Sequence, residues 1–423
     1  MTGRMNVLKT RIFIIIMLIF YIVNISGCNF SFSEEKENDI KSTTQFSREN
    51  IKTIPQKTKQ VDVKKELRGI WITYNELSMI GSENPQKDFE VKIEEMFTNI
   101  ADFGFNTVFV HVRPFCDSFY KSAIFPWSAY LTGEQGKDPG FDPLQIMIEK
   151  AREKNLKIHA WINPYRISLI TDTAKLAENN PARVWLEEDV YTRRILTPTG
   201  LYFNPASEEA RKLIVDGVKE ILENYSVDGI HFDDYFYPQP DTYIDETEYN
   251  VYKKKGGEMS QEEWRKNNVN LLIKEVYTAV KSINQDALFG ISPAGNLDLN
   301  ENTLFADVKS WGSIKGYVDY LCPQLYFGFE NKTCPFEKTA DEWYELVSDG
   351  SVSLYAGLAA YKCGDEAEGE WAEHDDILAR QIDYIRKIGK YNGFVMFSYS
   401  SMFSESAIRK NMTKELNNVT NLL

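Results

Sequence analysis

The feature of the sequence that most restricts its fold is an alternation of short apolar, β-rich runs with longer amphipathic segments. Eight such runs follow one another, at 67–74, 106–114, 156–165, 227–238, 287–295, 318–328, 353–361 and 393–401. Strands and helices that alternate in this way require a parallel sheet, and eight repeats over this length favour a closed barrel over an open sheet. The sequence therefore predicts an α/β fold, a (β/α)8 TIM barrel.

Helical periodicity fills the intervals between the predicted strands. The predicted helices are 89–103, 143–154, 207–225, 261–283, a short one at 305–311, 338–347 and 377–388. No repeat of shorter period and no second domain interrupt this pattern. We therefore expect one barrel domain over residues 67–423.

The amino terminus has the order of a secretory signal. Basic residues precede an apolar run at 12–23, which ends at ISGC (25–28). This run is shorter than the roughly 20 residues that a membrane-spanning helix needs. We expect a lipoprotein signal peptide over residues 1–28, ending at a lipobox in which the thiol of Cys28 receives a diacylglycerol. An ordinary signal peptide with an accidental cysteine is the alternative.

Charge and composition limit the partners of the mature chain. Residues 29–66 are polar and of mixed charge, which is typical of a disordered tether. The formal net charge of −14 makes nucleic acid and anionic headgroups poor partners for the folded part. We therefore expect an extracytoplasmic protein that the lipid on Cys28 attaches to the membrane.

The remaining cysteines are Cys116, Cys322, Cys334 and Cys363. Their spacing contains no CxxC pair and no dense disulfide framework. Cys334 with Cys363 is the pairing to test, because export permits disulfides. Free buried thiols are the alternative.

The carboxyl ends of the predicted strands are rich in polar and aromatic residues, and active sites of such barrels lie at that end. Aromatic faces and hydrogen-bonding side chains around one opening suit a sugar ring, so these residues predict a carbohydrate-binding site. The candidate substrate-binding residues are Arg113, Trp161, Asn163, Tyr165, Arg166, Tyr235, Asn296, Gln324, Tyr361 and Tyr399.

The end of the fourth predicted strand carries the strongest candidates for catalysis, Asp233 and Asp234. Asp233 shares a face with His231 by the two-residue alternation of a strand. Two neighbouring carboxylates raise one another's pKa, which can provide a general acid at neutral pH. The alternative is one catalytic aspartate beside another that caps a loop or pairs with an arginine.

Four segments carry a resemblance to a known family: 67–74 (LRGIWITY), 103–133, 141–167 and 227–238 (VDGIHFDDYFYP). They resemble the glycosyl hydrolase-like family 10 of bacterial exported proteins over nearly the whole mature domain. The resemblance implies a (β/α)8 barrel and glycoside hydrolysis, and some relatives are linked to cell-wall glycans, particularly strands stripped of their peptides. It fixes no single substrate, since one fold carries many chemistries.

A weaker similarity links DGIHFDD, VDYLCPQLYFG and GFVMFSYSS to the family 18 chitinases. In that family the acetamido group of the substrate is the nucleophile, and an aspartate and a tyrosine polarise it. The catalytic glutamate of the chitinase motif falls on Tyr235 here, so that acid does not carry over. Our hypothesis is that Asp233 or Asp234 supplies it and that Tyr326 assists at the sugar's 2-substituent.

Three alternatives stay open at this point. The first is an ordinary two-carboxylate glycosidase, whose second acid would come from Glu76, Asp117, Glu330 or Glu366. The second is a carbohydrate-binding lipoprotein without catalysis.

The third alternative is a metal-dependent sugar deacetylase that uses His111, His159 and His231. These histidines precede the strand ends, so interior packing is favoured, and we expect neither metal nor cofactor. Arg113 and Arg166 have two further interpretations, binding of an acidic sugar such as a muramic acid or a charge partner for the aspartates.

Overall fold

The computed structural model describes residues 65–189, 194–196, 200–238, 244–365, 368–404 and 410–423. The expected signal peptide, Cys28 and nearly all of the expected tether lie outside these ranges. Glu66, the last residue of the expected tether, is buried and binds Arg386 through both carboxylate oxygens, at 2.9 and 2.8 Å. The folded domain therefore includes Glu66. Within the described part, no helix combines the length and apolarity needed to cross a membrane.

Eight parallel strands close into a barrel, which confirms the predicted fold. They are β1 (Leu67–Ile72), β2 (Thr107–Arg113), β3 (Lys157–Ile162), β4 (Gly229–Phe232), β5 (Leu288–Ile291), β6 (Tyr320–Leu321), β7 (Ser353–Leu358) and β8 (Tyr391–Met396). Each strand pairs with its neighbours in chain order, and β8 pairs with β1 to complete the closure.

A helix follows each barrel strand. These helices are α1 (Pro85–Phe103), α2 (Pro143–Glu153), α3 (Glu208–Asn224), α4 (Gln261–Ile283), α5 (Val308–Ser313), α6 (Phe336–Leu346), α7 (Ile377–Ile388) and α8 (Lys410–Thr420). Helix α8 was not among the predicted helices. Further helical segments lie at Ala129–Thr132, Thr173–Lys175, Pro181–Glu188, Glu246–Lys254, Leu297–Leu299, Asn300–Leu304, Ala360–Lys362, Glu370–Glu373 and Tyr399–Phe403.

Local sequence signals explain where the best-predicted helix begins. The Ser260 side chain accepts a hydrogen bond from the backbone N–H of Glu263, and the Glu263 carboxylate accepts one from the backbone N–H of Ser260. This capping box satisfies two of the N–H groups that a helix start leaves without partners. The buried residues of α4 recur at helical spacing, so the helix packs against the barrel along one stripe.

The barrel interior is filled by large side chains rather than left open. Trp71, Phe109, Trp161, Tyr320, Cys322, Tyr355 and Val395 form its core cluster. A Cβ atom at Gly290 would overlap the ring of Tyr320, so the glycine makes room for that tyrosine. The site must therefore lie above this filled interior, at the ends of the strands.

A long excursion between β3 and α3 builds one side of that opening. It contains a small antiparallel sheet of Arg166–Ser168, Leu201–Phe203 and Ile195–Leu196. Gln135 joins this excursion to the loop after β2, because its amide nitrogen donates to Asp117 and its oxygen accepts from Asn180. The two loops therefore support each other.

No disulfide joins the four cysteines of the described residues. Cys116, Cys322 and Cys363 are buried, and Cys334 is partly exposed. The pairing of Cys334 with Cys363 is therefore not present in the structure.

Candidate active site

The site is built around Asp233, the first residue after β4. Gly229 and His231 precede it at two-residue spacing in or next to the barrel interior, and the Asp233 carboxylate continues that inward face. Only 3% of Asp233 is exposed, so its carboxyl group has little access to water.

Three N–H groups point at the Asp233 carboxylate. The indole Nε1 of Trp161 donates at 3.4 Å, and the backbone N–H of Tyr235 donates at 3.3 Å. The third donor is the side-chain amide of Asn163. With its nitrogen facing Asp233, this amide donates to Asp233 and to His111 Nε2 and accepts from Arg166 Nη1, whereas the opposite orientation sets the amide nitrogen against the Arg166 guanidinium, donor against donor.

Burial and a neighbouring charge control the protonation of Asp233. Loss of solvation, and after it the charge of Asp234, raises the pKa of Asp233 to about 8, against the opposing effects of Arg166 and two hydrogen bonds. Burial also raises the pKa of Asp234, opposed by hydrogen bonds that include one from Gln324. The pair therefore retains a proton at neutral pH, which is the state that a general acid requires.

Arg166 lies beside this pair and beneath Tyr235. Its guanidinium carbon is 3.8 Å from the centroid of the Tyr235 ring, and its Nη1 donates to Asn163 at 3.2 Å. Tyr235 is 47% exposed, so its outer face is open to a ligand. Of the two interpretations of Arg166, the structure favours the one in which its charge acts on the aspartates.

Aromatic rings form another part of the opening. Tyr326 contacts the rings of Tyr361 and Phe397, each with centroids 5.9 Å apart. Both tyrosines are partly exposed. Tyr326 follows Gln324, which hydrogen-bonds Asp234 and donates to the Ser292 carbonyl at 3.0 Å. The loop after β6 thus carries both a partner of Asp234 and part of the aromatic wall.

Phe397 was not among the predicted site residues. It lies two residues after Val395, an inward-facing residue of β8, and its ring also contacts Trp71 with centroids 6.0 Å apart. The two-residue alternation of the strand was the signal that could have identified it.

Two predicted binding residues are buried instead. Arg113 is 0% exposed, and its guanidinium lies over the ring of Phe125 at 4.6 Å. A register shift between β2 and β3 at His111/Arg113 interrupts the alternation that would have kept Arg113 facing the barrel axis. Tyr165 is also 0% exposed, because its chain turns beneath Phe203, whose N–H bonds the Tyr165 carbonyl. Neither side chain reaches a ligand at the opening.

Two other predicted binding residues serve local structure. The side-chain oxygen of Asn296 caps a short helix by accepting from the N–H groups of Asp298 and Leu299. The hydroxyl of Tyr399 accepts from Asn99 on α1 at 3.0 Å, which directs this ring toward the outer helices. Tyr399 is therefore outside the candidate site.

Two of the four candidates for a second catalytic carboxylate, Glu76 and Asp117, have structural partners within the protein. Glu76 accepts from the backbone N–H groups of Thr73 and Ser400 and from the Ser398 hydroxyl, and so ties the end of β1 to the end of β8. Asp117 is buried under its loop, and burial raises its pKa to about 6. Glu330 is exposed, and Glu366 lies outside the described residues.

The interior histidines form a hydrogen-bonded layer below Asp233. His231 accepts at Nε2 from the Trp71 indole, so its Nδ1 donates to the Tyr320 hydroxyl at 2.9 Å. That hydroxyl in turn donates to His159 Nδ1 at 3.1 Å. Among the described residues, no three histidine, cysteine or acidic side chains are grouped so that they could hold a metal ion.

Comparison with known proteins gives a family match over most of the chain. Residues 66–373 match the family model described as Glycosyl hydrolase-like 10. The chain is 35% identical to "Glycosyl hydrolase YngK" of Bacillus subtilis (strain 168), over 80% of this chain and 69% of that protein. It is 31% identical to "Glycosyl hydrolase DigH" of Escherichia coli (strain K12), over 78% of this chain and 82% of that protein.

Two solved structures share the fold at low sequence identity. The catalytic domain of β-amylase from Paenibacillus polymyxa aligns with a TM-score of 0.55 and 10% identity, over 85% of this chain and 98% of that one. The PgaB (BpsB) glycoside hydrolase domain from Bordetella bronchiseptica aligns with a TM-score of 0.51 and 12% identity, over 82% and 99%. These structures show the common barrel.

Proposed function

Because this chain belongs to glycosyl hydrolase-like family 10, we propose that it is a glycoside hydrolase in which Asp233 is the general acid. The observation that carries the proposal is the aspartate pair at the end of β4, where three N–H donors are directed at Asp233 and where burial and the charge of Asp234 raise its pKa. The relatives, each named a glycosyl hydrolase, support the same reaction class.

In the proposed reaction, protonated Asp233 donates to the glycosidic oxygen as the bond from that oxygen to the anomeric carbon breaks. The leaving sugar departs as an alcohol with the proton from Asp233. The resulting carboxylate is stabilised by the donors already directed at it, Trp161, Asn163 and the backbone of Tyr235. Such general acid catalysis contributes about 10²- to 10⁴-fold in rate.

We propose that the nucleophile is the acetamido oxygen of the substrate. It attacks the anomeric carbon and forms a cyclic oxazolinium intermediate. Water then opens this ring at the anomeric carbon and gives up a proton to the Asp233 carboxylate, which returns to its protonated state. Asp234 accepts the acetamido N–H, and the Tyr326 hydroxyl assists at the same group. Gln324, which hydrogen-bonds Asp234, lies two residues before Tyr326. The structural roles of Glu76 and Asp117 support this route over a second protein carboxylate.

The proposed substrate is a glycan with N-acetylated sugars, such as peptidoglycan strands stripped of peptide. The exposed Tyr235 ring and the Tyr326 and Tyr361 wall supply stacking faces for sugar rings, with Trp161, Asn163, Arg166 and Gln324 around the reacting centre. We further propose that the lipid on Cys28 holds the domain on the outer side of the membrane, where such a glycan would be met.

The proposal is tested with matched acetylated and deacetylated glycans. Peptide-stripped peptidoglycan strands and chitin oligomers are incubated with the wild type, Asp233→Asn, Asp234→Asn and Tyr326→Phe, and products are read by mass. We expect cleavage by the wild type, at least a 100-fold loss in both aspartate variants, and no cleavage of the matching chitosan oligomers. Binding of glycan without cleavage would instead support a carbohydrate-binding protein.

A further inference from the structure

His111 contacts both side chains that donate to the Asp233 carboxylate. Its ring is stacked on Trp161, with centroids 3.7 Å apart and planes 6° from parallel. Its Nε2 is 3.2 Å from the amide nitrogen of Asn163. His111 is 2% exposed and pairs with Trp161 across β2 and β3. The histidine is therefore packed behind the two donors and is almost fully shielded from solvent.

The Asn163 amide has one arrangement that satisfies its three neighbours. Its oxygen accepts from Arg166, and its nitrogen donates one hydrogen to Asp233 and the other to His111. The last bond requires a free lone pair on His111 Nε2. Burial, and after it the charge of Arg166, lowers the pKa of His111 well below its usual range, so the ring stays neutral and can accept.

We infer that His111 is a positioning residue for Asp233. By stacking on Trp161 and accepting from Asn163, it fixes both side chains so that their N–H groups meet at one carboxylate. The catalytic meaning of this inference rests on the proposed role of Asp233, whereas the contacts and the titration below are independent of that role.

The His111→Phe variant tests the two contacts of the histidine ring separately. Phenylalanine keeps a flat ring against Trp161 but removes the acceptor that holds the Asn163 nitrogen. The ionised form of Asp233 then loses a fixed donor, so we expect the pKa of Asp233 to rise by about one pH unit. His111→Gln, which keeps an acceptor oxygen, should cause a smaller rise.

The pKa of Asp233 can be read without any glycan. Two full-length proteins are compared, one with Asp233 and one with Asp233→Asn. The difference between their thermal unfolding temperatures, followed from pH 4 to pH 9, reports this pKa. The measurement is repeated with His111→Phe, with Asn163→Ala, and with both together. The matched control is His159→Phe, which removes a buried barrel histidine bonded to Tyr320 rather than to Asn163.

We expect the pKa of Asp233 to rise in His111→Phe and in Asn163→Ala, without a further rise in the double variant. His159→Phe should leave it in place. An unchanged pKa in His111→Phe, equal shifts in both histidine variants, or additive effects of His111→Phe and Asn163→Ala would overturn the inference. If His111→Phe does not fold, His111→Gln replaces it in the test. A rise in the pKa of Asp233 as large as that in Asn163→Ala would then also overturn the inference, because glutamine keeps the acceptor. Absence of glycan cleavage would defeat the proposed function and leave this titration valid.

Discussion

The raised pKa of Asp233 predicts that replacing this residue stabilises the protein at alkaline pH. Its pKa rises from 3.8 to about 8 on folding. Below pH 4 the group is protonated in both the folded and unfolded states, and the stability that it contributes is fully present. As the pH rises toward 8, the unfolded chain ionises while the folded protein holds the proton, so that stability is progressively lost. Asp233→Asn does not titrate and escapes the loss.

One pKa unit corresponds to about 1.4 kcal/mol, so the loss at pH 7 is at most about 4 kcal/mol. Relaxation around a buried charge lowers this figure, and we expect about 2 kcal/mol, or an increase in Tm of roughly 3 °C. The assay is calorimetry of the wild type and Asp233→Asn at pH 4 and pH 8.

The new amide nitrogen of Asp233→Asn faces donors at both pH values, so only the change between pH 4 and pH 8 reports titration. A relative stabilisation at pH 8 is the expected result. If Asp233→Asn is instead more destabilising at pH 8 than at pH 4, the donors from Trp161, Asn163 and Tyr235 hold an ionised Asp233, and the general-acid argument is refuted.

Further predictions concern the neighbours of Asp233. Asp234→Asn removes the charge that raises the pKa of Asp233, so the alkaline limb of any residual activity should move to lower pH; a limb that stays in place would contradict this. Arg166→Met removes a charge that lowers that pKa, so the limb should move to higher pH in a profile of kcat/KM. Tyr326→Phe should lower kcat on acetylated oligomers by about tenfold with little change in KM; an effect on KM alone would assign the hydroxyl to binding. Arg113→Met should leave kcat/KM within about twofold and Tm unchanged or higher, because Arg113 is buried away from the opening. A large loss of activity would show that Arg113 acts in the site.

The barrel was predictable because its strands and most of its helices show a clear sequence period and local end signals. All eight strands lie within or close to their predicted runs, and the predicted bounds of α4 and α7 match the structure. The capping box of Ser260 and Glu263 explains the first of these. Helix α8 was missed although Met412, Leu416 and Val419 recur at i, i+4 and i+7, because these three are its only large apolar residues. Packing against α7 stabilises it, and Glu415 accepts from the backbone N–H groups of Ile377 and Ala379 at the start of α7.

The site was predictable only where strand alternation holds. Asp233 and Trp161 follow the two-residue period of their strands, and the structure brings them into contact. Arg113 departs from its expected direction because of the register shift between β2 and β3. Beyond the strand ends, loop packing decides direction, so Tyr165 and Tyr399 face the protein interior and the outer helices. No pattern in the sequence specifies such turns.

The most direct test of the account is cleavage of peptide-stripped peptidoglycan strands by the full chain, with the wild type and Asp233→Asn compared by mass analysis of products. We predict new reducing-end fragments with the wild type and none with Asp233→Asn at equal folded concentration. Fragments produced equally by both proteins, or strands that the wild type binds and leaves intact, would contradict the assignment of Asp233 as the general acid of a glycoside hydrolase.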